Sequence, residues 1–169
     1  MNSIALDTNI ILLFLVGMVN PNFISKHKRL RKYSEEDFTF LCKLLAHFDR
    51  IVVTPGCIAE TTNLLDHSLL AQKQFFPKLR ELLHNPEQLC ETYIPSIRAS
   101  EINAFLWLGI TDATYIDLAQ QGVPIITSDF DLFTQVVAYC DRSINFLKGN
   151  CFKSSDLRLT YLIKVATTI

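Results

Sequence analysis

Hydrophobic and polar positions follow two kinds of pattern along the chain. Three short apolar runs, SIALD (3–7), RIVVTP (50–55) and VPIITSD (123–129), are rich in β-branched residues and stop at a carboxylate or a proline, which predicts buried strands. Longer segments between them carry helical signals. NIILLFLVGMV (9–19) has the length and leucine content of a buried helix, closed by Asn20, Pro21 and Asn22. From Ser34, Phe38, Leu41, Leu45 and Phe48 fall at helical spacing, with Ser34 as N-cap and Asp37 at the third helical position. GCIAETTNLLDHSLL (56–70) and AQKQFFPKLRELLHN (71–85) predict two further helices, the second bent or started at Pro77.

ETYIP (91–95) reads as a short extended piece. SIRASEINAFLWLG (96–109) reads as one helix through Ile97, Ile102 and Leu106, stopped by Gly109. Thr111 is the expected N-cap of the next helix, which runs to about Gln121 with Gly122 as its stop. LFTQVVAYC (132–140) is expected to be helical and SINFLK (143–148) extended. The tail LRLTYLIKV (157–165) alternates as a strand does, although Leu162 breaks the alternation and leaves a terminal helix as the alternative.

Strands separated by helices predict an α/β fold, a three-layer sandwich with a central parallel β-sheet flanked by helices, forming a single domain over residues 1–169. Ligands of such sheets lie beyond the carboxyl ends of the strands. Asp7 and Asp129 fall at those ends.

Composition adds limits. With 49% apolar and 20% charged residues the chain has globular composition. Five scattered cysteines without a C-x-x-C pair read as reduced core residues of a cytosolic protein. The N-terminus has no basic leader, and the apolar run Ile10–Val16 is too short to span a membrane. A net charge of −1 excludes a protein that coats nucleic acid through bulk positive charge. One local patch stands out: KHKRLRK places Lys26, Lys28, Arg29, Arg31 and Lys32, five of the sixteen Lys and Arg residues, in one short run. It reads either as a phosphate-contacting loop or as a solvated loop balanced by Glu35, Glu36 and Asp37.

The chemistry is concentrated in carboxylates. On a helix, positions i, i+4 and i+7 share a face, so Asp112 lies on the apolar stripe of Ile116 and Ala119, whereas Asp117 is expected to face water. Glu60 likewise shares a stripe with Cys57 and Leu64. Asp7, Glu60, Asp112 and Asp129 have no basic residue nearby in sequence. A buried carboxylate without a partner costs several kcal/mol or stays protonated, so a shared hard cation, Mg²⁺ or Mn²⁺, is the economical expectation. Each acid also has a purely structural explanation. Asp7 can cap the helix after it; Asp112 and Glu60 can complement the positive end of a helix; Asp129 and Asp131 can form a strand-to-helix turn.

Taken together, ALDTNI around Asp7, TPGCIAETTNLL around Glu60, LGITDATYIDLA around Asp112 and VPIITSDFDL around Asp129 resemble, in order and context, the PIN-domain family of metal-dependent ribonucleases. The resemblance covers most of residues 4 to 132. It implies a parallel sheet with an acidic pocket for one or two Mg²⁺ or Mn²⁺ ions, Asp7, Asp112 and Asp129 as metal ligands, and Glu60 completing the catalytic acids. Asp131 is the runner-up for the fourth position. Thr8, Asn9 and Ser128 would orient carboxylates or waters. It further implies an RNA substrate in single-stranded or looped form, a toxin held by an antitoxin protein, and a possible homodimer. The competing readings are an RNA-processing or DNA-acting nuclease without an antitoxin, a non-catalytic binding scaffold, and an acidic phosphoryl-transfer fold. His67 shares the Glu60 face but is expected to be structural. His27 belongs to the basic patch, and His47 and His84 lie near helix ends. Trp107, Phe75, Phe76 and Phe105 are expected in the core.

Overall fold

A computed structural model of the protein describes residues 2–65, 68 and 70–146. The chain forms a five-stranded sheet of β1 (Ser3–Leu6), β2 (Arg50–Val53), β3 (Leu89–Glu91), β4 (Ile125–Thr127) and β5 (Ile144–Asn145), in the order β3-β2-β1-β4-β5. All neighbours are parallel, with Ala5 opposite Val52 on one side of β1 and Leu6 opposite Ile126 on the other. Parallel neighbours require crossovers, and these are helical. The helices are α1 (Thr8–Val19), α2 (Glu35–Leu45), α3 (Pro55–Leu64), α4 (Phe76–Leu83), α5 (Ser96–Ser100), α6 (Phe105–Leu108), α7 (Ile110–Gln120) and α8 (Phe130–Val136).

The chain leaves β1 in one direction to β2 and β3, then returns to its other side for β4 and β5. Right-handed crossovers place the two sets of helices on opposite faces. Accordingly α1 packs with α2, α3 and α4, while α7 packs with α5, α6 and α8. The sheet is therefore the middle of three layers, as expected from the sequence.

The central elements follow from their composition. Ile4, Ala5 and Leu6 are wholly buried, as are Ile10 to Leu13, because α1 lies between the sheet and other helices and has little polar face. Gly17 makes the α1–α2 approach possible: a Cβ there would fall 2.3 Å from the Phe38 ring. Helix α2 starts with a capping box in which Ser34 and Asp37 each satisfy the other's backbone N–H, as expected. Gly122 ends α7 at φ +82°, a conformation that favours glycine.

Several expectations are corrected. The helix expected over 96–109 is two short helices, because the chain turns through 101–104 with three-residue hydrogen bonds such as Ile102 N–H to Ala99 O and Phe105 N–H to Ile102 O. Its apolar positions consequently lose their common face: Ile97 is 74% and Leu106 83% exposed. Trp107, expected in the core, is 62% exposed, whereas Phe75 is buried and Phe76 and Phe105 pack against the core's edge. Gly109, at φ +85°, and not Thr111, immediately precedes α7. The extended piece is β3, displaced to Leu89–Glu91, and α3 ends at Leu64. The remainder of SINFLK beyond Phe146, the expected C-terminal strand, His67 and Cys151 lie outside the described residues. No helix among the described residues is long and apolar enough to cross a membrane.

Candidate active site

Strand order reverses at β1, so a crevice opens between the carboxyl ends of β1 and β4, where ligands of open α/β sheets bind. Asp7 follows β1 directly and is 3% exposed. It caps α1, accepting from the Ile10 N–H at 2.8 Å through Oδ1. Its Oδ2 reaches across the crevice and accepts from the Thr127 hydroxyl and from the Ser128 N–H at 3.2 Å. The capping explanation is thus correct for one oxygen, and the other is held at the β4 edge. Burial pushes the Asp7 carboxyl up to about 6, against the downward pull of these hydrogen bonds and of the Lys32 charge.

Glu60 arrives from α3 and accepts from the Thr8 hydroxyl at 2.8 Å. That bond joins the first turn of α1 to α3 directly above the end of β1. Glu60 is exposed, so its stripe position does not remove it from water as the sequence suggests.

Asp112 is half-buried in the first turn of α7. Its helix is pinned to the same edge: the Tyr115 hydroxyl donates to the Leu6 carbonyl, and the Thr114 and Thr54 hydroxyls meet at 3.3 Å. Burial, then the charges of Asp7, Asp129 and Glu60, push the Asp112 carboxyl up to about 7. All three charges act on it in the same sense.

Asp129 is exposed and caps α8, its Oδ1 accepting from the Asp131 and Leu132 N–H groups at 2.8 and 3.1 Å. Asp131 is also exposed but is not among the charges acting on Asp112. Of the two, Asp129 is the one whose charge acts on Asp112. Ser128 holds Asp7 through its backbone and meets Lys32 Nζ through its hydroxyl at 3.1 Å. The Asn9 side chain makes no hydrogen bond among the described residues.

Sequence reasoning missed two participants. Thr127 holds the buried acid, and Tyr115 fixes the carbonyl that precedes it. Lys32 belongs to the basic patch but crosses ninety-six positions of sequence to reach Ser128. The hydroxyl at the end of a strand, in ITSD, is the one local signal for Thr127.

Asp117 reverses its expectation. It is 2% exposed, paired with Arg98 at 2.6 Å and accepting from Gln121 Nε2 at 2.6 Å. Residues Ala113 to Ala119 are all buried, so α7 has no broad wet face for Asp117 to occupy.

Among the described residues no three His, Cys, Asp or Glu side chains are drawn into a closed metal-ligand group. Both oxygens of Asp7 are engaged. The donor chemistry fits a hard cation nonetheless: Mg²⁺ retains several waters and needs only one or two carboxylates with substrate oxygens. A scan of protein-family models and searches of curated proteins and of solved structures find no match to this chain.

Proposed function

We propose that this chain is a Mg²⁺- or Mn²⁺-dependent endoribonuclease of the PIN type, cleaving single-stranded or looped RNA. The observation that carries the reading is Asp112, a half-buried acid whose charge is opposed by three other carboxylates at the switch point of the sheet. A scaffold gains nothing from such repulsion, whereas a cation site requires it. Asp7, Asp112 and Asp129 would hold the ion, with Glu60 beside them. When bound, the ion supplies an acidified water and charge neutralisation at the phosphodiester.

The chain's own residues do the remainder. Thr127 and the Ser128 N–H fix one oxygen of Asp7, and the Ile10 N–H fixes the other, so this acid is oriented before any ligand arrives. Thr8 orients Glu60 in the same way. Lys32 places a positive charge at the rim, where the phosphate backbone would approach.

Metal-activated hydrolysis needs no ribose 2′-hydroxyl, so the test includes both nucleic acids. Labelled single-stranded RNA and DNA of one sequence are incubated with purified protein in Mn²⁺ or EDTA, beside Asp7→Asn and Asp112→Asn. RNA cleavage only with metal, lost in both variants, is expected. Cleavage in EDTA, or cleavage that survives both substitutions, overturns the reading. Preferential DNA cleavage reassigns the substrate.

The resemblance of the four acidic segments to the PIN family, which has toxins among its members, supports a cytoplasmic toxin restrained by an antitoxin protein. Expression should then arrest growth, and Asp7→Asn should abolish the arrest. Harmless expression of an active nuclease would instead make it an RNA-processing enzyme.

A further inference from the structure

The basic run is not consumed by the fold. Lys26, Lys28, Arg29, Arg31 and Lys32 are all exposed, and among the described residues none pairs with a carboxylate. The acids that follow the run begin α2, where Ser34 and Asp37 close the capping box. Beside the run lies a groove of about 510 Å³ with a cationic rim of Lys26, Lys28 and Arg29 and an apolar floor that includes Phe23, Leu64 and Leu70. The floor is firm: Phe23 meets Phe75 edge to face at 6.0 Å, and Lys26 sits over the Phe23 ring at 5.9 Å.

Both walls of the groove lead to the acidic edge. Helix α3 carries Glu60 and then, about 6 Å further along its axis, Leu64. The basic loop carries Lys26 to Arg29 at the groove and Lys32 at Ser128. An apolar floor with a cationic rim suits an unpaired base and the phosphates on either side of it. With a net charge of −1, the chain offers this attraction locally and not as a whole.

We propose that this groove binds an unpaired nucleotide next to the scissile phosphate, its base on the apolar floor and its backbone running from Lys28 and Arg29 to Lys32. The inference rests on the nuclease reading and makes the substrate single-stranded beside the cut. Its test is fluorescence anisotropy in EDTA, with short labelled RNAs that carry one abasic nucleotide at successive positions. Protein variants are Arg29→Glu, Lys28→Glu and Leu70→Ala, all at exposed positions, with thermal unfolding to confirm their fold. Each charge reversal should weaken RNA binding about tenfold or more and flatten its salt dependence. One abasic position should weaken binding about fivefold or more, and Leu70→Ala should reduce that penalty. Unchanged affinity in both reversals, a flat abasic series, or equal affinity for a duplex overturns the proposal and gives the groove to another partner. Because binding is read without metal, cleavage with no groove effect overturns this inference alone. Groove binding without cleavage overturns the nuclease reading alone.

Discussion

Helix α7 carries two aspartates, and their environments are opposite. Asp117 is the more deeply buried, yet it has Arg98 at 2.6 Å and Gln121 at 2.6 Å. Asp112 is only half-buried, yet it faces three carboxylates and is pushed up to about 7. Burial alone does not set a carboxylate's charge state; its partners decide it. The first aspartate is complete within the fold, while the second has no hydrogen-bond or ion-pair partner among the described residues.

The largest effects should separate these two kinds of acid. Asp7→Asn and Asp112→Asn are expected to reduce metal-dependent RNA cleavage by about 100-fold or more while remaining folded, whereas Asp131→Asn should change the rate by less than about threefold. Single-turnover kinetics decide this. A large Asp131 effect would move the fourth acidic position.

Next in size is the paired acid. Arg98→Ala leaves Asp117 buried with Gln121 as its remaining side-chain partner and should cost about 2–4 kcal/mol in urea unfolding. Asp117→Asn removes the buried charge and frees an Arg98 that is already 54% exposed, so its cost should be smaller. The reverse order would show that Arg98, not Asp117, is the group requiring compensation.

The pH dependence follows from the two acids whose carboxyls are raised. The carboxyls of Asp7 and Asp112 rise from an ordinary value of 3.8 to about 6 and about 7, so the fold favours their protonated forms. Their contribution to stability is complete below about pH 4 and is lost as pH rises through 6 and 7. Metal-free Asp112→Asn should therefore exceed the wild type by about 1–3 kcal/mol at pH 8 and match it near pH 4. Equal curves at both pH values would contradict the repulsion assigned to this site. Smallest is Tyr115→Phe, which removes the hydrogen bond to the Leu6 carbonyl and should cost about 1 kcal/mol, measured by thermal unfolding.

Much of this architecture was legible from local pattern. The runs SIAL, RIVV and IIT become the three central strands because β-branched and apolar residues without polar alternation suit strands covered on both faces. The capping box at Ser34 and the turn at Gly122 are local devices and read correctly. Helical phase failed for Asp117 because α7 is surrounded, and a phase argument needs one wet side. Strand β3 has only three residues and rests on pairing with β2, which no local pattern announces. At the candidate site, Asp7 and Asp129 were read from their place at strand ends and Asp112 from its helical phase, whereas Glu60, read from its stripe with Cys57 and Leu64, is exposed. Of the groups that hold them, Thr8 and Ser128 were named beside the acids, whereas Thr127 was not, because it reaches Asp7 across 120 positions of sequence.

The most direct test is Mn²⁺ binding to the metal-free protein, followed by electron paramagnetic resonance between pH 5.5 and 8. The wild type should bind Mn²⁺ more tightly as pH rises through about 7, because the ligand carboxyls must lose their protons. Asp112→Asn should abolish that binding and Asp131→Asn should leave it intact. No saturable binding by the wild type, or equal binding by Asp112→Asn, would contradict the assignment of this acidic edge as a cation site.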